Sequence, residues 1–220
     1  MAIRGIIFDL DGTLLDTLDD LVNAANATLA HYGFPGHAAA AYRYFVGDGL
    51  MTLMERIVPA SNRSPLEITA CMETFLQIYG KSWDLQSRPY PGIMEMLQQL
   101  QAAGLKLGVL SNKPHSFTQL CVNRFFSEDT FDFVYGHREL VPKKPDPAGA
   151  LEIAALMEIP PEHILYVGDT ATDMQTGNKA GMFTIGVLWG FRERMELAEN
   201  KAGKIISHPS EIVNHAINKC

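Results

Sequence analysis

Cysteine is scarce in this 220-residue chain. Its three copies, Cys71, Cys121 and Cys220, are far apart, odd in number and in no Cys-x-x-Cys arrangement. That excludes a disulfide framework and a cysteine-ligated structural zinc, and it points to a reducing, cytoplasmic compartment. Long apolar runs are also missing: no stretch approaches a membrane span. The opening MAIRGIIFDL does not read as a signal peptide, because its apolar run is short and stops at an aspartate. Positive charge is in short supply, with 18 Lys and Arg against 25 Asp and Glu and a formal net charge of -7. A nucleic-acid partner would normally require a basic face, so none is expected. Any anionic substrate must then be held by local Lys, Arg or metal charge. There is no GxxxxGK[ST], which argues against a nucleoside-triphosphate enzyme. Internal repeats and low-complexity segments are absent too.

What remains is an ordinary globular composition, 47% apolar and 20% charged. A chain of this length can bury one substantial core, with room for a smaller second lobe. Six short runs rich in β-branched residues read as buried strands: IRGIIFD (3–9), LKLGVLS (105–111), FDFVY (131–135), HILYVGD (163–169), TIGVLW (184–189) and KIIS (204–207). Their nearly continuous apolar character suits a parallel sheet covered on both faces. Helical patterns alternate with them; PGIMEMLQQLQAAG, for example, puts Ile93, Met96, Leu97 and Leu100 on one face and stops at Gly104. The expected fold class is α/β, a doubly wound, Rossmann-like parallel sheet.

From about Asp16 to Asp84 the alternation stops and only helical patterns remain. DTLDDLVNAANATLAHYG spaces Leu18, Leu21, Val22, Ala25 and Leu29 helically, with Asp16 or Thr17 as N-cap. This interval predicts an all-helical lobe inserted over 16–84, with 1–15 and 85–220 forming the sheet domain. The connections GTLLDT and QSRPYPG would be its two hinges. Met51, Met54 and Met72 would pack a small core in that lobe or slide against the sheet domain.

Ligands of open α/β sheets sit outside the carboxyl ends of the strands. The first strand delivers Asp9 and Asp11 there, in FDLDGTLLDT. Side chains at i and i+2 of a strand share a face, so two carboxylates would lie side by side, a costly arrangement without a cation or proton between them. LKLGVLSNKP delivers Ser111, Asn112 and Lys113; VPKKPDP delivers Lys143 and Lys144; ILYVGDTATD delivers Asp169 and Asp173. Hard carboxylate oxygens suit Mg2+, while a hydroxyl, an ammonium and helix N-termini suit a phosphate. One aspartate of the opening pair can attack phosphorus, and the other can serve as acid and base.

DLDGTLLDT, LSNK, KPDP and VGDTATD, in this order and across essentially the whole chain, resemble the four motifs of the haloacid dehalogenase (HAD) superfamily. The helical interval after the first motif resembles that family's C1-type cap, and VGDGL, SNKP and GDTATDM resemble its phosphoglycolate phosphatase-like branch. The resemblance implies Asp9 as nucleophile, Asp11 as general acid/base, and Ser111 and Lys144 as holders of the transferring phosphoryl group. It implies Mg2+ bound by Asp9, the Asp11 backbone carbonyl and Asp169, with Asp173 supporting the metal directly or through water. Thr13, Asn112 and Gly47, the last in FVGDGL (45–50), would contact a small phosphorylated metabolite. The enzyme would be a monomer or homodimer, free of membrane and nucleic acid.

Each signal has a plainer reading. Ser111 could be a helix N-cap, Asn112 a positional residue, Lys143 and Lys144 a solvated pair, and Asp173 a helix cap. Gly47 and Gly49 could form a simple helix–helix turn. Arg43, Arg56 and Lys81 could supply charge for a substrate carboxylate, although each also reads as surface; His115 reads as structural. Arg192 and Arg194 in WGFRER read as an exposed, charged helix start. Phosphoglycolate leads the substrates, followed by phosphate transfer to a sugar, as in β-phosphoglucomutase-like relatives, and by pyrophosphate hydrolysis. A response-regulator receiver is rejected, because its phosphoacceptor would end the third strand, where this chain has Gly136 and His137.

Overall fold

The computed structural model describes residues 2–217. In chain order the elements are β1 (Gly5–Phe8), β2 (Leu15–Asp16), α1 (Leu18–His31), α2 (Ala39–Phe45), α3 (Leu50–Ile57), α4 (Pro65–Tyr79), β3 (Arg88–Pro89), α5 (Ile93–Ala102), β4 (Lys106–Pro114) and α6 (His115–Phe125). They continue with β5 (Phe133–His137), α7 (Ala148–Met157), β6 (Ile164–Gly168), α8 (Ala171–Lys179), β7 (Phe183–Val187), α9 (Arg194–Glu199), β8 (Lys204–Ile206) and α10 (Ser210–Ala216).

Six strands form one sheet in the order β5-β4-β1-β6-β7-β8, and every pairing in it is parallel. The apolar runs produce this because alternate residues bury on opposite faces. Ile6 and Phe8 of β1 join one core with Val109, Val167, Leu97 and Ile212, while Ile7 joins the other with Tyr166, Ile153 and Met157. Helices α5, α6 and α10 cover the first face, and α7 and α8 cover the second. The fold is thus α/β, doubly wound and Rossmann-like. Strand order reverses at β1, between β4 and β6, and the carboxyl ends there open a crevice suited to a ligand.

Helix α5 buries Ile93, Met96, Leu97 and Leu100. Gly104 follows its end with φ +75°, a conformation that favours glycine. Helices α1 to α4 have a separate core in which Leu21, Ala25, Leu29, Tyr42, Met54 and Phe75 meet. Met54 is fully buried and Met72 packs at the edge, but Met51 is 55% exposed and joins no core. Helix α4 starts at a capping box in which Ser64 and Glu67 exchange side-chain and backbone hydrogen bonds, with Pro65 in the first turn. No helix among the described residues is long and apolar enough to cross a membrane.

The two connections to this helical group pair as a short antiparallel ribbon, Leu15 with Pro89 and Asp16 with Arg88. A buried carboxylate reinforces them. Asp20, in the first turn of α1, accepts from the Gln86 and Ser87 backbone N–H groups and from the Ser87 hydroxyl, at 2.7 to 3.1 Å. Its truncation would leave the buried Ser87 donors without their acceptor. Asp20→Ala should therefore lower unfolding free energy by about 2–3 kcal/mol in a urea titration, whereas a solvated surface aspartate would change it by only a few tenths.

Candidate active site

Strand β1 ends at Phe8, one residue before Asp9, so the same-face rule of a strand does not govern Asp9 and Asp11. Asp9 continues the ladder with one bond, from its N–H to Val167 O at 2.9 Å, and the chain then turns. Gly12 makes that turn with φ +92°, and a Cβ on it would overlap the Asp169 carboxylate. The two aspartates consequently diverge, and each meets its own lysine. Lys144 Nζ donates to Asp9 Oδ1 at 2.7 Å, and Lys113 Nζ to Asp11 Oδ1 and Oδ2 at 3.0 and 3.3 Å. The side-by-side repulsion expected from the sequence is relieved by geometry as well as by charge.

Around Lys144 the acids gather. It also donates to Asp173 Oδ1 at 2.7 Å, and Asp9, Asp169 and Asp173 bring one carboxylate oxygen each within 4.8 Å of one another. All three are buried. Burial pushes the Asp9 carboxyl well above its usual range, against the opposing pull of Lys144. Burial, reinforced by Asp173, pushes Asp169 up to about 7. Burial disfavours the Lys144 ammonium, but Asp173 and Asp9 outweigh it and hold its pKa well above the ordinary lysine value. Three carboxylates facing one ammonium leave an excess of negative charge, and hard oxygen ligands in such a setting fit a small divalent cation.

Local structure fixes each acid. Asp169 follows β6 and accepts from the Thr13 hydroxyl at 3.1 Å and the Phe191 N–H at 2.7 Å. Asp173 sits in the first turn of α8, where its Oδ2 accepts from the Thr170 N–H and hydroxyl in a capping box. It therefore caps the helix and faces the cluster at once, while Thr170 is the N-cap itself. Thr13 commits its hydroxyl to Asp169 rather than to open space.

Strand β4 shifts register against β5 between Leu110 and Pro114, releasing Ser111, Asn112 and Lys113 from the ladder. Ser111 stays in the strand, so it caps no helix, and its Oγ accepts from the Lys113 N–H at 3.2 Å. Asn112 is fully engaged with backbone: its Nδ2 donates to Gly47 O and Lys144 O, and its Oδ1 accepts from Lys144 N–H. That is a positioning role. Two contributors have roles that the sequence did not reveal. Lys113 bridges Asp11 and the Tyr79 hydroxyl, the latter at 2.8 Å, and Thr17 directs its hydroxyl to Asp11 at 2.7 Å instead of capping α1. The available signal was the lysine's place immediately after Ser-Asn at a strand end.

The Phe45–Leu50 loop leans onto the sheet domain. Asp48 accepts from Arg56 at 2.6 Å within the helical group and from the Thr172 hydroxyl at 2.7 Å across the gap; Lys143 donates to Asp48 O at 2.7 Å. Lys143 therefore serves this loop, whereas Lys144 serves the acids. Arg192 corrects the sequence reading. It is only 7% exposed, with Nη2 donating to Val46 O at 3.0 Å and Nε paired with Glu196, and α9 starts two residues later. Arg43 reaches the Phe191 and Gly190 carbonyls from an exposed position. His115 accepts from the Gly136 N–H, a structural role.

Between the loop, the helical group and the strand ends lies a cavity, with Asp9, Asp11, Ser111 and Lys113 at its floor. Gly47 and Gly49, at φ +113° and +91°, bring backbone to its wall.

The sequence model of the haloacid dehalogenase-like hydrolases matches residues 6–187. The chain belongs to that family. It is similar to a phosphoglycolate phosphatase of Yersinia pestis, at 30% identity over 214 residues covering 96% of this chain and 92% of that protein. It is 31% identical to an N-acetylmuramic acid 6-phosphate phosphatase of Pseudomonas aeruginosa, over 97% of this chain and 95% of that one. Among solved structures, a protein of Lactobacillus delbrueckii subsp. bulgaricus provisionally assigned as a phosphoglycolate phosphatase superposes with a TM-score of 0.93, at 27% identity and with both chains fully covered.

The raised pKa values of this HAD member carry a sign. The folded state holds the Asp169 proton more tightly than an unfolded chain with its ordinary value of 3.8, and Asp9 is shifted the same way. The linked stability is present at low pH and lost as pH rises through about 7. Scanning calorimetry in chelator should show Tm falling by roughly 3 °C or more between pH 5.5 and pH 8. A Tm rising over that window would contradict the buried, proton-sharing acid cluster.

Proposed function

We propose that this phosphoric monoester hydrolase is a Mg2+-dependent phosphatase that cleaves small phosphomonoesters through an aspartyl-phosphate on Asp9. The observation carrying this reading is the buried group of Asp9, Asp169 and Asp173 around the single ammonium of Lys144, at the point where strand order reverses. Asp9, Asp169 and Asp173 would hold Mg2+, with the Asp11 backbone carbonyl completing the protein's share. When bound, the cation would offset the excess negative charge and polarise the phosphoryl oxygens.

The Asp9 carboxylate attacks phosphorus; an Asp9–phosphorus bond forms as the ester P–O bond breaks. Asp11 gives a proton to the departing alkoxide, then takes one from the water that hydrolyses the acyl phosphate. Lys113 and Thr17 hold the Asp11 carboxylate, so the two acids act from fixed and separate positions. Lys144 restrains Asp9 and, with Ser111, faces the transferring phosphoryl group. The helical segment 16–84 acts as a cap over the 1–15 and 85–220 domain, and the clasp at Asp48 keeps bulk water out during attack.

Phosphoglycolate heads the substrates on likeness to the relatives. A cytoplasmic location belongs to the same reading, which the unpaired, buried Cys71 and Cys121 support. Phosphomutase and pyrophosphatase chemistry would use the same nucleophile, and no observation favours either. Asp9→Asn should lower phosphate release at least about 1000-fold with an unchanged circular dichroism spectrum, and chelator should abolish activity until Mg2+ is restored. Near-normal turnover by that variant would rule out the covalent route.

A further inference from the structure

The wall of the cavity facing the phosphate end is built almost wholly from hydrocarbon. Val46, Leu50, Leu53, Phe75, Leu76 and Phe117 form it, and the hydroxyl of Tyr79 is its polar interruption. A leaving group attached to a phosphorus held near Asp9 must lie against these side chains.

An anionic leaving group needs a cation there. Lys113 is the cationic residue lining the cavity among the described residues, and its Nζ lies 3.0 and 3.3 Å from the two oxygens of Asp11. Its ammonium is committed to Asp11 and, at 2.8 Å, to the Tyr79 hydroxyl. A substrate carboxylate beside it would have to displace these partners in a poorly hydrated space, a costly burial. The other candidates are engaged elsewhere. Arg56 pairs with Asp48, Lys143 with the Asp48 carbonyl and Thr52, and Arg43 with the Gly190 and Phe191 carbonyls. Arg192 sits behind the Phe45–Leu50 loop, bonded to Val46 O and Glu196. Lys81 is exposed and does not line the cavity.

We infer that the enzyme selects phosphate esters of uncharged, largely apolar alcohols, branched alkyl or benzyl in kind, over esters bearing a carboxylate. This rests on the phosphatase reading above and reorders the substrates that likeness to the relatives puts first. The cavity runs from Asp9 and Ser111 to Phe75 and Phe117, so an alkyl or benzyl group on a phosphate held at Asp9 meets this wall. Desolvation of such a leaving group is favourable, so the selectivity should appear chiefly in KM, since the bond broken is chemically similar across these esters.

The test compares initial phosphate release from isobutyl phosphate, benzyl phosphate and phosphoglycolate by the full chain with Mg2+. Isobutyl phosphate places two methyl groups where phosphoglycolate has its two carboxylate oxygens, and all three leaving groups are aliphatic alkoxides. The expected result is a kcat/KM at least about 10-fold higher for isobutyl than for phosphoglycolate, with benzyl higher still. Leu76→Arg, at a half-buried position on the wall, should narrow or reverse that ratio. If the variant does not fold, the wild-type comparison stands alone as the test. Equal or preferential use of phosphoglycolate by the wild type would overturn the inference and leave the phosphatase reading intact; it would direct attention to Arg192, whose Nη1 is buried without a partner. Failure to hydrolyse any of the three esters would remove the phosphatase reading and the inference together.

Discussion

Lys144 carries a full positive charge into a place from which water is nearly excluded, and it can remain there only because Asp9 and Asp173 meet it at 2.7 Å each. A buried ion pair gives little net stability, since desolvation offsets most of the attraction. Its value here is positional. The ammonium ties the loop before α7 to the end of β1 and the first turn of α8, so three segments distant in sequence share one restraint. Asp169 adds charge to that restraint without adding a counter-charge, and the arrangement is left short of positive charge. Such a surplus of carboxylate oxygen over ammonium suits a small divalent cation.

A second lysine resolves the difficulty posed by two aspartates one residue apart. Pairing Asp11 with Lys113 and Thr17 separates it from the acid cluster, so the two carboxylates occupy different environments although the chain places them almost in contact. Differences of this kind let chemically identical side chains take different parts in one reaction. Tyr79 ends the longest helix of the helical group and touches Lys113, so the Asp11 side of the site is in contact with that group.

The six strands and the alternation with helices were legible in the sequence because a sheet covered on both faces tolerates little besides apolar residues along its strands. The acids were legible because such sheets put their chemistry where strands stop. Less could be read where a side chain's partner lies far along the chain. Arg192 sits among charged neighbours and resembles a solvated helix start, yet its partner Val46 lies 146 residues earlier. Lys113 could be placed at a strand end, but its pairing with Asp11 depends on β1 stopping at Phe8, a one-residue matter that apolar periodicity does not define. Asn112 and Thr13 lie at the site as the motifs suggest, but Asn112 bonds to backbone and Thr13 to Asp169, partners that motif spacing alone does not reveal.

The stretch from Val46 to Gly49 does two jobs with the same few atoms. Its backbone shapes the chamber, and Asp48 fastens that wall to Thr172 and Lys143 on the opposite side. A change in this stretch would alter the chamber's wall and that wall's attachment to the sheet domain together. Divergence toward new esters is easier by altering Leu53 of α3 and Phe75 or Leu76 of α4, apolar side chains that line the chamber.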